Sequence, residues 1–116
     1  MSYSKKSRKE FAERKSKRYS ELGYQMEDEV ERVIRRAIEE GTFASVVHHS
    51  SQTPSMDFTV TKMVNELEES RSFGMTISLK VWSERRNRLG SPQFCFPIGT
   101  RPETVIRRVL ELFKVE

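Results

Sequence analysis

Between residues 24 and 41 the chain reads YQMEDEVERVIRRAIEEG, and Met26, Val30, Val33, Ile34, Ala37 and Ile38 recur at the spacing of one helical face. Glu27, Asp28 and Glu29 fall in an early turn, where the helix dipole favours anions, and Gly41 suits the residue that closes a helix. TFASVVHHS, rich in β-branched residues, predicts a first strand ended by the turn at residues 50–54. MDFTVTKM predicts a second, with Met56, Phe58 and Val60 on one face and Asp57, Thr59 and Thr61 on the other. MTISLKVW predicts a third, setting Met75, Ile77, Leu79 and Val81 against Thr76, Ser78, Lys80 and Trp82. VNELEESRSFG, between them, has no apolar period and reads as an exposed connection joining an antiparallel pair.

SERRNRLGS then reads as a basic, polar crossover with one or two helical turns, and QFCFPIG as a short strand that Pro97 places at a sheet edge or strand end. In the last segment Thr100 and Glu103 have capping-box spacing and Pro102 suits a first turn. Val105, Ile106, Val109, Leu110, Leu112 and Phe113 form its apolar stripe. The order α-β-β-β-(α)-β-α predicts an α/β (α+β) fold, a mixed, mainly antiparallel sheet flanked by helices.

A chain of 116 residues suits one domain. No apolar run approaches the roughly 18 residues of a membrane span, and the basic N-terminus is not followed by a signal-peptide stretch, so the expected location is cytoplasmic with no membrane partner. A single cysteine, Cys95 between Phe94 and Phe96, excludes an internal disulfide and reads as a small strand hydrophobe. There is no Gly-rich phosphate loop, zinc pattern or nucleophile elbow.

Charge changes the picture more than composition does. Residues 1–18 hold eight Lys or Arg against two Glu, a net of +6, whereas the remaining chain holds thirteen against fifteen, a net of −2. The expected organisation is a basic, flexible arm over residues 1–20 and an α/β domain over 21–116. Such an arm, with Lys5, Lys6, Arg8 and Lys9, releases counterions from a phosphate backbone and favours DNA or RNA without choosing a sequence. A solvated tail that aids solubility has the same composition.

The element order, with Asp57 near the start of the second strand and Ser78-Leu79-Lys80 in the third, resembles the PD-(D/E)-x-K nuclease superfamily, the restriction-endonuclease-like fold. The resemblance spans residues 24–115 by element order and rests on few motif residues. It implies that Asp57 binds Mg²⁺ or Mn²⁺ and that Lys80 positions or activates the attacking water. The family's opening helix is matched by EVERVIRRAIEEGTF, which implies a second metal-binding acid at Glu31, with Glu27 one turn earlier as the alternative. Pro54 stands three residues before Asp57, where the family often has its Pro adjacent. Ser78 occupies the position where the family has an acid, and a neutral hydroxyl is a poor Mg²⁺ ligand, so a helix acid must replace it for cleavage. Nucleases of this fold often pair, which implies a homodimer.

Arg85, Arg86 and Arg88 follow Lys80 and suit phosphate oxygens at the mouth of such a site, where Trp82 either stacks on a base or packs on the sheet. His48 and His49 are adjacent in a strand, so their rings point to opposite faces. Two other classes share these features. One is a nucleic-acid-binding module such as a double-stranded RNA-binding domain, whose α-β-β-β-α order leaves the strand near residues 93–98 without a place. The other is an inactive interaction subunit.

Overall fold

The computed structural model describes the backbone of residues 5–49, 56–86 and 90–114, and the side chains among them from residue 21 onward. Helix α1 (Lys5–Glu39) runs unbroken through Gly23, joining the basic stretch to the apolar stripe read from residue 24. One glycine costs a helix interior only about 1 kcal/mol, and the rest of α1 carries it. At the other end Gly41 adopts φ +85°. Its N–H donates to Ile38 O (3.0 Å) and the Thr42 N–H to Ala37 O (2.8 Å), a Schellman closure.

Strands β1 (Ser45–His48), β2 (Phe58–Val64) and β3 (Leu67–Thr76) form an antiparallel meander, and β4 (Gln93–Cys95) lies parallel to β3. Among the described residues the sheet order is β1-β2-β3-β4, so β4 is an edge, as Pro97 suggested. A parallel pair needs a crossover, and α2 (Leu79–Arg85) lies in it, packed against β3 and β4. Helix α3 (Pro102–Glu111) packs against α1. The protein is thus a small α+β domain with a four-stranded mixed sheet and three helices among the described residues. No helix among these residues is long and apolar enough to cross a membrane.

Three local expectations are corrected. The connection expected over residues 64–74 is mostly strand, because the hairpin loop is only Asn65 and Glu66, both left-handed (φ 53° and 68°), as a type I′ turn requires. Pairing to β1 stops at Ser45↔Thr61, so among the described residues the ribbon beyond it has no strand on that side, and its charged residues conceal the strand period. The strand expected over residues 75–82 ends at Thr76. Ser78 is extended and its Oγ accepts the Val81 N–H (3.3 Å), which starts α2 instead. Helix α3 has no capping box: Arg101 is its N-cap, Pro102 opens it as expected, and the Thr100 hydroxyl donates to Pro97 O (2.6 Å).

The core lies between one sheet face and the two packed helices. Met26, Val30, Ile34 and Ala37 of α1 and Val105 and Val109 of α3 bury against Val46, Phe58, Val60, Phe73 and Met75. An aromatic row crosses the sheet on this side: His48 on Phe58 (4.5 Å), Phe58 on Phe73 (5.4 Å) and Phe73 on Phe94 (5.2 Å). Beyond the helix end, Arg71 donates from Nε to Leu112 O (3.0 Å), and its guanidinium lies 5.4 Å from the Phe113 ring centre. That contact ties α3 to β3.

Candidate functional site

Where β1 ends and β2 begins, His48 stands against Glu27 and Glu31 of α1, and Asp57 lies near enough for its charge to act on Glu27. Asp57 lies in the bend before β2 and not on the Thr59/Thr61 face that alternation predicts. Thr59 Oγ1 instead shares hydrogen bonds with His49 Nε2 (2.6 Å) and Ser72 Oγ (2.7 Å). Asp57 is pinned by its backbone, which donates to Phe73 O (2.9 Å) and accepts from the His49 N–H (2.8 Å). Its Oδ2 accepts the Met75 N–H at 2.7 Å.

Helix α1 supplies the partner. Glu27 and Glu31 are four residues apart, so they stand one above the other beside the buried Met26–Val30–Ile34 stripe. Glu27 is the one whose carboxyl is affected by Asp57. Burial first, and the Asp57 charge second, push the Glu27 carboxyl from its ordinary 4.5 up to about 7, while hydrogen bonding to His48 opposes the rise. The pair therefore holds a proton near neutrality. Glu31 points elsewhere: its Oε1 lies 3.4 Å from Arg35 Nη2 and 3.6 Å from His48 Nδ1.

His48 sits between the two helix acids. Its Nε2 lies 3.4 Å from Glu27 Oε1, and its ring is stacked on the buried Phe58. From the sequence, His48 and His49 were expected to point to opposite faces. The divergence is real, and the alternation that buries Val46 also turns His48 toward α1.

The other expected residues are spread out. Ser78 caps α2, and Lys80 is exposed in the first turn of that helix, so the two do not share a strand face with each other or with Asp57. Arg86 covers the Trp82 ring (4.9 Å to its centre), and Trp82 Nε1 donates to Gln93 O (2.7 Å), which packs the tryptophan on the sheet. Arg85 is half-buried in α2. Arg88 lies outside the described residues, and Lys5, Lys6, Arg8 and Lys9 fall on α1 with side chains outside them.

Among the described residues, no three His, Cys, Asp or Glu side chains are grouped to hold a metal ion. What the site does offer is one carboxylate pair, Glu27 and Asp57. Two carboxylates are the fewest that would hold a Mg²⁺-type ion beside water and phosphate, and Glu27 would have to give up the proton it keeps near neutrality to serve as one. No protein-family model matches the chain, and neither does any curated protein or solved structure.

Proposed function

We propose that the protein is a nucleic-acid-associated protein of restriction-endonuclease-like architecture with a divergent phosphodiester-cleaving centre. The observation that carries this reading is the placement of Glu27 of α1, His48 of β1 and Asp57 before β2 at one end of the sheet, with His48 Nε2 3.4 Å from Glu27 Oε1 and Asp57 Oδ2 held by the Met75 N–H at 2.7 Å; the Asp57 charge also helps raise the Glu27 carboxyl. The element order and the parallel β3–β4 pair around a helical crossover support the architecture.

In this reading Glu27 and Asp57 hold Mg²⁺ or Mn²⁺, and Glu27, not Glu31, is the helix acid that compensates for Ser78. The ion, when bound, supplies positive charge to the scissile phosphate. The Met75 N–H keeps one Asp57 oxygen fixed, leaving the other for the pair. The basic residues of α1 hold the phosphate backbone.

The test incubates the full chain with single- and double-stranded DNA and RNA in Mg²⁺ or Mn²⁺, beside Asp57→Asn and Glu27→Gln. Losing several kcal/mol of charge stabilisation predicts a fall of about 100-fold or more in cleavage for either variant. Cleavage that survives both substitutions sinks the proposed centre. A second reading, binding without cleavage, is favoured by the placement of Lys80 in the exposed first turn of α2. Binding by the wild type without cleavage in either metal selects it.

A further inference from the structure

We infer that the sheet face turned away from α1 and α3 docks the phosphate backbone of single-stranded nucleic acid through a hydrogen-bonded row of His49, Thr59 and Ser72; this rests on the nucleic-acid reading above and not on its metal centre. Alternation sends Phe58, Val60 and Phe73 into the core, and so turns Thr59, Thr61 and Ser72 to the other side. His49, one residue beyond His48, reaches that side from the end of β1. Its Nε2 lies 2.6 Å from Thr59 Oγ1, which lies 2.7 Å from Ser72 Oγ, so the row crosses from β1 to β3. All three residues are half-buried and keep part of their surface in solvent.

A row of this kind has a direction. With hydrogen on Nε2, His49 donates to Thr59, Thr59 donates to Ser72, and the Ser72 O–H is left to donate outward. With Nε2 bare, both hydroxyls donate back toward the ring and Ser72 presents only lone pairs. An anion on this face selects the first order, and each bond in the row polarises the next. A phosphate oxygen is such an acceptor, and hydrogen bonds to it are charge-assisted.

The surrounding charge favours that ligand. Gly74 is two residues from Ser72 on the same face, and the Gln93 side chain occupies the space a Gly74 Cβ would fill. Trp82 Nε1 donates to Gln93 O, and no residue of α2 enters the core beneath α1 and α3, so α2 borders this face. With its C-cap, α2 carries Lys80, Arg85 and Arg86 against one acid, Glu84. Asp57, the cross-strand neighbour of His49, has its Oδ2 engaged by the Met75 N–H, and Glu68 stands two rows away toward the hairpin turn. Arg86 covers the Trp82 ring, which directs recognition to the backbone and not to the bases. From β1 to β3 the strip is two strand spacings wide, about 10 Å, which is room for one backbone.

The test follows binding of a labelled oligouridylate, an oligothymidylate and a duplex of equal length to the full chain by fluorescence anisotropy, without divalent metal, together with each variant's thermal midpoint. Thr59→Val keeps a β-branched residue in the strand and cuts the row. Thr59→Val and Ser72→Ala should each weaken single-strand binding by about 10-fold, and the double variant should lose no more, because both act on one row. Ser72→Ala keeps the test decisive where Thr59→Val folds poorly. Thr61→Val breaks the hydroxyl pair of Thr61 and Ser70 (2.8 Å), which ends on no imidazole, and should change affinity by less than about twofold. Nitrogen NMR of the His49 ring should show hydrogen on Nε2 once a single strand is bound, a change absent from Thr59→Val.

Thr59→Val and Ser72→Ala both within about twofold of wild type, or Thr61→Val losing as much as Thr59→Val, overturn the row as a phosphate site and leave the nucleic-acid reading standing. Tighter binding of the duplex overturns the single-strand assignment. A wild type that binds none of the three overturns the nucleic-acid reading and the inference with it.

Discussion

Glu27→Gln should stabilise the fold above neutral pH while removing a residue the proposed centre needs. The Glu27 carboxyl is raised from 4.5 to about 7 in the folded protein, first by burial and then by Asp57. A carboxyl with a raised folded-state pKa binds its proton more tightly folded than unfolded, so its contribution is fully present below pH 4.5 and lost as pH rises through about 7. At about 1.4 kcal/mol per tenfold change in proton affinity, the ceiling for that loss is about 3 kcal/mol. The side chain is 16% exposed. Partial solvent screening at this sheet edge reduces the expectation to about 1–2 kcal/mol.

Glutamine has nearly the same shape, stays neutral at every pH, and can donate to Asp57 as the protonated carboxyl does. The variant and the wild type should therefore melt together near pH 4.5. Near pH 8 the variant should melt about 3–10 °C higher, the range a gain of about 1–2 kcal/mol gives a domain of this size. Thermal melts followed by circular dichroism across pH 4.5–8.5 read this directly. Parallel stability profiles for the two proteins, or a variant less stable at pH 8, would refute the account of the carboxyl pair.

Three further outcomes follow from the fold. Glu66→Gly should raise stability by about 0.5–1 kcal/mol in urea unfolding, since Glu66 sits at φ 68° in a two-residue turn that glycine enters without steric cost. Arg71→Ala should cost about 1–3 kcal/mol in the same assay, because it removes the bond to Leu112 O and the contact with the Phe113 ring. Neutralising Lys5, Lys6, Arg8 and Lys9 to Gln should flatten the salt dependence of duplex DNA binding by up to about 3–4 in log–log slope, and an unchanged slope would separate the arm from nucleic acid.

How far the sequence could be read depended on which force set each element. Met26, Val30, Ile34 and Ala37 were legible because burial imposes a helical period on them, as it does on Val105 and Val109. The first half of β3 was not, because its charged ribbon lies beyond β1 and burial writes no alternation there. Met75, Ile77, Leu79 and Val81 alternate like a strand, yet the Ser78 cap converts the second half to helix, a choice that periodicity alone does not record. At the site, Asp57 and a glutamate of α1 were anticipated from residue type and order. Which of the two glutamates lies near Asp57 follows from contacts between residues far apart in the chain, which element order does not record.

The continuity of α1 across Gly23 makes the basic stretch and Glu27 parts of a single screw. At about 1.5 Å and 100° per residue, Lys5 stands about 33 Å from Glu27 along the axis, and the angle between any arm residue and the carboxyl pair is fixed by their count. Inserting one residue at position 23 turns the arm by about 100° relative to Glu27. Inserting seven returns it to within about 20° while moving it about 10 Å outward. Rotational phase, and not only distance, thus relates the basic stretch to the acids at the end of the sheet.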